Sequence, residues 1–124
     1  MPLRHRIEVR GGEVSKGITR RVEALEALTW QICEALPGAF GALNVRIFYD
    51  ESTGALNVIE INPRFGGGFP LAYQAGGDFP RWLIEEALGH SCTARADVWR
   101  DGLVMLRYDR AIYLHEEFIR PIRG

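Results

Sequence analysis

With 124 residues, 47% of them apolar and 25% charged, the chain has the makeup of one globular domain with a real core. Its formal charge of −1 lacks the basic excess of a nucleic-acid-binding surface. No apolar run nears the ~20 residues that span a bilayer, and "MPLRHRIEVR" has no apolar signal-peptide core. Cys33 and Cys92 form neither a CxxC pair nor a disulfide framework, so a cytoplasmic location is the expectation. Positive charge is almost entirely arginine, with Lys16 the one lysine. No repeat, low-complexity tract or linker divides residues 1–124, which read as a single domain.

In chain order, "LRHRIEVR" alternates as a strand does, with Leu3, His5, Ile7 and Val9 on one side and the arginines and Glu8 on the other. "GGEVSKG" reads as a glycine-punctuated loop. Over 20–36, Val22, Leu25, Leu28, Ile32 and Leu36 recur at helical spacing until Pro37-Gly38 ends the pattern. "ALNVRIFYD" and "LNVIEIN" then alternate on either side of the turn "ESTGA", which predicts a β-hairpin. Setting Asp50 opposite Leu56 places Arg46 opposite Glu60 and Asn44 opposite Asn62. "FPLAYQAG" suits a short helix, and Asp78 is a good cap for a helix over 78–88. "DGLVMLRYDRAIYLHE" reads as two strands around Asp109-Arg110. The expected fold is α+β: a mostly antiparallel sheet, the 20–36 and 78–88 helices on one face, and Glu60 and Asn62 on the open face.

"VIEINPRFGGG" carries the chemistry. Glu60 and Asn62, two residues apart, project their oxygens from one strand face. Mg²⁺ takes such oxygen ligands and completes its shell with water and substrate phosphates. Arg64 offers a planar fork to phosphate or carboxylate, and Gly66, Gly67 and Gly68 permit close backbone approach to a ligand. On spacing alone, a solvated strand face followed by a plain loop accounts for the same residues.

"GALNVR", "IEINPRFGGGFPLAYQAGGDFP", the upstream "RIEVRGGEVSKGITR" and "VMLRYDR" together resemble the C-terminal part of an ATP-grasp domain, close to the ATP-binding domains of the carbamoyl-phosphate synthase large subunit. The resemblance covers most of the chain. It implies a ligase that binds ATP with Mg²⁺ or Mn²⁺ and activates a small carboxylate as an acyl phosphate. It further implies Glu60 and Asn62 as metal ligands, Arg64 as the catalytic cation, and Gly66–Gly68 as the acceptor loop. Lys16 is by the same resemblance a phosphate contact, or else an ordinary solvated lysine.

Two departures accompany the resemblance. Such domains carry glutamine where Arg46 stands, and a guanidinium cannot ligate a metal. Arg46 therefore either takes the place of one metal at the nucleotide site or marks a site that no longer binds metal. The lobe that covers the nucleotide is also expected to lie outside residues 1–124, which leaves a complementary lobe or a homodimer as candidate partners. Two functions follow: the Mg-ATP-binding half of a carboxylate–amine ligase, incomplete alone, or a non-catalytic remnant serving as a binding or homo-oligomeric module. Other sites lack their patterns. His5, His90 and His115 have no zinc spacing, and Trp30, Trp82 and Trp99 read as packing residues.

Overall fold

Val9 pairs with Val14 and Arg10 with Glu13, so the turn between the first two strands is short and holds Gly11. Gly11 adopts φ +54°, a conformation for which glycine is suited and which two-residue hairpins require. The computed structural model describes residues 4–11, 13–108 and 113. In it, β1 (Arg4–Arg10) and β2 (Glu13–Thr19) form this hairpin, and β5 (Val104–Leu106) adds to the free side of β2. α1 (Glu23–Glu34) follows β2. A second antiparallel pair, β3 (Asn44–Tyr49) and β4 (Leu56–Asn62), forms its own two-stranded sheet. α2 (Phe69–Gln74) and α3 (Phe79–Ala87) come after it. Among the described residues no helix is long and apolar enough to cross a membrane.

The architecture is α+β with antiparallel pairing throughout, as expected, but the strands divide into two sheets rather than one. "GGEVSKG" is corrected in part: Gly11 stays in the turn, and residues 13–17 belong to strand β2. Its buried positions are Ser15, Gly17 and Thr19, while Val14, Lys16 and Ile18 are only half-buried. The period of two is present, but its inward face is small and polar, so a search for apolar alternation passes over it. The second strand expected after Asp109-Arg110 lies outside the described residues.

Small inward residues allow close packing from above. Leu71 of α2, 2% exposed, lies over Gly17, where an added Cβ would stand 3.3 Å from Leu71 Cδ2. Thr19 is fully buried and uses every polar group on the loop before β5. Its hydroxyl donates to Arg100 O (2.8 Å) and accepts from Leu103 N (2.9 Å). Its backbone N–H donates to Leu103 O (2.9 Å), and its carbonyl accepts from Gly102 N (3.0 Å). The same loop buries Trp99 and is tied to α2's end, where Arg100 N donates to Ala75 O (2.7 Å). Arg21 lies over the Trp99 ring at 4.2 Å and donates to the carbonyls of Asp97 and Trp99.

The helices keep close to their expected limits. α1 starts at Glu23, three residues later than the apolar period suggests, because Arg21 is committed to the Trp99 loop. α3 begins as predicted, with Asp78 Oδ1 accepting from Arg81 N and Pro80 in the first turn. Trp30, Phe79, Trp82 and Trp99 surround a cavity of about 280 Å³. The three tryptophans thus share one pocket, distant in sequence from the Glu60–Gly68 segment.

Candidate functional site

The β3–β4 hairpin sets the site's geometry. Asn44 pairs with Asn62 and Arg46 with Glu60, as the sequence predicts. Past that point the register shifts, and Ile47 faces Val58, which leaves Ile59 as an extra residue on β4. Leu56 therefore pairs with Tyr49, and the expected Asp50–Leu56 pairing is corrected. The turn explains the shift. Asp50 Oδ1 accepts from Ser52 N (2.9 Å) and Ser52 Oγ (2.7 Å), and Asp50 N donates to Ala55 O (3.0 Å). Gly54 closes the loop at φ +73°. Asp50 is thus committed to the turn, and the bulge beside Glu60 takes up the surplus residue. Bulges of this kind redirect the neighbouring side chains.

Arg46 Nη1 lies 3.2 Å from Glu60 Oε1, an ion pair whose side chains are 39% and 43% exposed. The expected cross-strand pairing of these two residues is present. Asn62 is more enclosed, and its Nδ2 is buried without a hydrogen-bond partner among the described residues. Rotation of the amide by half a turn would present a carbonyl oxygen at that same position.

β1 supplies what the sequence reading missed. Arg4 Nη2 donates to Asn44 Oδ1 at 2.9 Å, which brings the first strand to the hairpin. Burial, and then the neighbouring Arg6, lower the proton affinity of the Arg4 guanidinium. Arg6 is lowered by burial and by Arg46, with Glu60 acting in the opposite direction. Arg6 is thus coupled to Arg4 on its own strand and to Arg46 and the Glu60 carboxylate on the hairpin. The signal was present in "RHR", whose period of two puts both arginines on one strand face.

The glycine loop closes against this cluster. A Cβ on Gly66 would stand 2.7 Å from Asn44 Oδ1, and one on Gly68 would stand 3.1 Å from Arg4 Nη1. Gly67 O accepts from Arg107 Nη1 at 3.4 Å. Two of the sequence candidates point elsewhere. Arg64 is exposed and donates to Phe65 O (3.1 Å), and Lys16, in β2 rather than in a loop, pairs with Glu8. The structure thus brings together Asn44, Arg46, Glu60, Asn62 and Gly66–Gly68, and adds Arg4 and Arg6.

The donor set fits a hard cation completed by a ligand. No group of three or more His, Cys, Asp or Glu side chains that could hold a metal ion gathers among the described residues. One carboxylate and one amide position, beside several arginines, match the way Mg²⁺ is held jointly with substrate phosphates. Residues 6–110 match the family described as "ATP-grasp in the biosynthetic pathway with Ter operon". No curated protein matches the chain. With the matched span running from β1 through β5, the chain belongs to the ATP-grasp superfamily.

Proposed function

We propose that the chain forms the Mg-ATP- and acceptor-binding half of a ligase that activates a small carboxylate, completed by a complementary lobe. The observation that carries this reading is the placement of Glu60 and Asn62 on β4 beside Asn44, Arg46 and the Gly66–Gly68 loop. Glu60 and the Asn62 amide would hold Mg²⁺, which when bound neutralises phosphate charge. The reaction is phosphoryl transfer: a carboxylate oxygen attacks the γ-phosphorus, the bond to the β,γ-bridging oxygen breaks, and ADP leaves with that electron pair. The resulting acyl phosphate is then attacked by an amine, and phosphate leaves.

The residues of this chain contribute position and charge. Arg46 and Arg6 bias the site toward anions, and fixed cations stabilise such a transfer without reorganising. The loop at Gly66–Gly68 lets backbone lie close to the acceptor. Arg64 reaches the transferred group once its bond to Phe65 O is exchanged for a ligand oxygen. That bond is exposed, so the exchange costs little.

The Arg46–Glu60 ion pair favours a second reading, in which Glu60 no longer binds metal and the domain acts as an interaction module. Isothermal titration with a non-hydrolysable ATP analogue, with and without Mg²⁺, separates the two. Magnesium-dependent binding lost in Glu60→Ala is expected. Absence of binding at millimolar nucleotide would overturn the ligase reading and leave the interaction module.

A further inference from the structure

Arg4 and Arg6 of β1, unlike Arg10, which pairs with Glu8, have no ion-pair partner among the described residues. Arg4 is half-buried, and among the described residues its side chain donates to a neutral amide, Asn44 Oδ1. A guanidinium has five donors, so most of those on Arg4 have no acceptor among the described residues. Arg6 lies on the same strand face and forms no ion pair with a described carboxylate. Only Arg46 of the three has one, Glu60. Glu60 is thus the one described carboxylate that pairs with any of the three. Arg6 is exposed and Arg4 only partly covered, so the cluster is open to solvent, and its excess of positive charge favours an anion.

We propose that Arg4, Arg6 and Arg46, with Asn44 and the Gly66–Gly68 backbone, form a metal-independent cradle for an oxyanion. The ligand chemistry is that of phosphate or carboxylate oxygens, supplied by the nucleotide or by the acceptor. For the identity of that ligand the inference rests on the ligase reading above. The geometry suits it. Arg4 Nη1 runs beside Gly68, where any Cβ would come within 3.1 Å and narrow the space next to the guanidinium. Asn44 fixes the other terminal nitrogen and holds the fork in one orientation. The Glu60 carboxylate occupies Arg46 while the cradle is empty, and an incoming oxyanion takes its place. The exchange releases Glu60 toward a metal. Metal and anion sites are then filled cooperatively, because each ligand removes the ion pair that competes with the other.

The test is titration of the chain with inorganic tripolyphosphate and, separately, with succinate, both in EDTA. Binding of at least one in the absence of divalent cation is expected, and the arm that binds names the source of the oxyanion. Arg4→Gln and Arg6→Gln should each weaken it by about tenfold, the loss of one charge-assisted contact. Arg6 is exposed, so its variant keeps the test valid if the Arg4 variant fails to fold. Glu60→Gln separates the two readings: it should strengthen metal-free oxyanion binding while abolishing the magnesium-dependent part of nucleotide-analogue binding. Failure of both oxyanions to bind, or binding unchanged in Arg6→Gln, overturns the cradle and leaves the metal-site reading standing on its own test.

Discussion

Arg46 and Glu60 face each other across the antiparallel pair with Nη1 and Oε1 3.2 Å apart, and both side chains remain substantially exposed. Solvent screens such a pair, whose worth is typically within about 1 kcal/mol. Replacing Arg46 with glutamine should therefore alter the unfolding free energy by less than about 1 kcal/mol in urea titrations. The same variant frees Glu60 and adds an amide oxygen opposite it. The magnesium-dependent component of nucleotide-analogue binding should increase severalfold, read by calorimetry.

Gly66 lies against the Asn44 side chain. A methyl group there would stand 2.7 Å from Asn44 Oδ1 and 2.8 Å from Asn44 Cγ. The Asn44 side chain must swing away, and its bond from Arg4 breaks. Gly66→Ala should cost about 1–3 kcal/mol, the range for losing a hydrogen bond to a charged group. Double-mutant analysis with Asn44→Ala provides the check: the penalty of the alanine should largely disappear when Asn44 is already truncated.

Thr19→Val keeps the shape of a fully buried residue and removes its hydroxyl. Leu103 N–H loses its bond to that oxygen, and Arg100 C=O loses a donor. With buried groups left unmatched, a loss of about 2–4 kcal/mol is expected, seen as a lower urea midpoint with an unchanged slope. Thr19→Ser should retain most of the stability.

Three carboxylates make the fold sensitive to acid. Glu85 is held below its ordinary value of 4.5, chiefly by the Thr93 N–H. Glu8 is lowered by its bonds from Lys16 and Arg10, and Asp50 is held below 3.8 by Ser52. A carboxylate lowered in the folded state adds stability that is complete above its unfolded pKa. That stability is lost as pH falls through the lowered folded value. The thermal midpoint should thus hold from neutral pH down to about pH 5 and decline below it. Glu85→Gln should start from a lower midpoint at pH 7 and show a shallower acid decline.

The hairpin that bears the site was legible because its chemistry and its periodicity coincide. Alternation over Asn44–Tyr49 and Leu56–Asn62 marks the two strands, and setting Asp50 opposite Leu56 gives the Arg46–Glu60 pairing, which holds because the bulge at Ile59 offsets the one-residue difference at the turn. The bulge at Ile59 was not legible, since its cause is the commitment of Asp50 to its own turn. β2 escaped notice for a different reason. Its buried face is Ser15, Gly17 and Thr19, chosen for hydrogen bonding and close approach rather than for hydrophobicity. Arg4 and Arg6 were visible as an alternating pair, but alternation within one strand does not reveal which other strand will meet it. That meeting is a property of the tertiary fold.

It also has a mechanical consequence. Among the described residues, the Arg4–Asn44 bond is the side-chain hydrogen bond that joins the three-stranded sheet to the hairpin. Each sheet is internally laced by its own ladder, whereas the seam between them is fastened at the place where an anion would sit. An occupant gripping Arg4 and Arg6 from one sheet and Arg46 from the other would act as a keystone. The hairpin would swing with comparative ease when that place is empty and lock when it is filled. Backbone amides of Asn44–Tyr49 would then exchange with deuterium more slowly on adding ligand, while those of β2, tied down through Thr19, would hardly change.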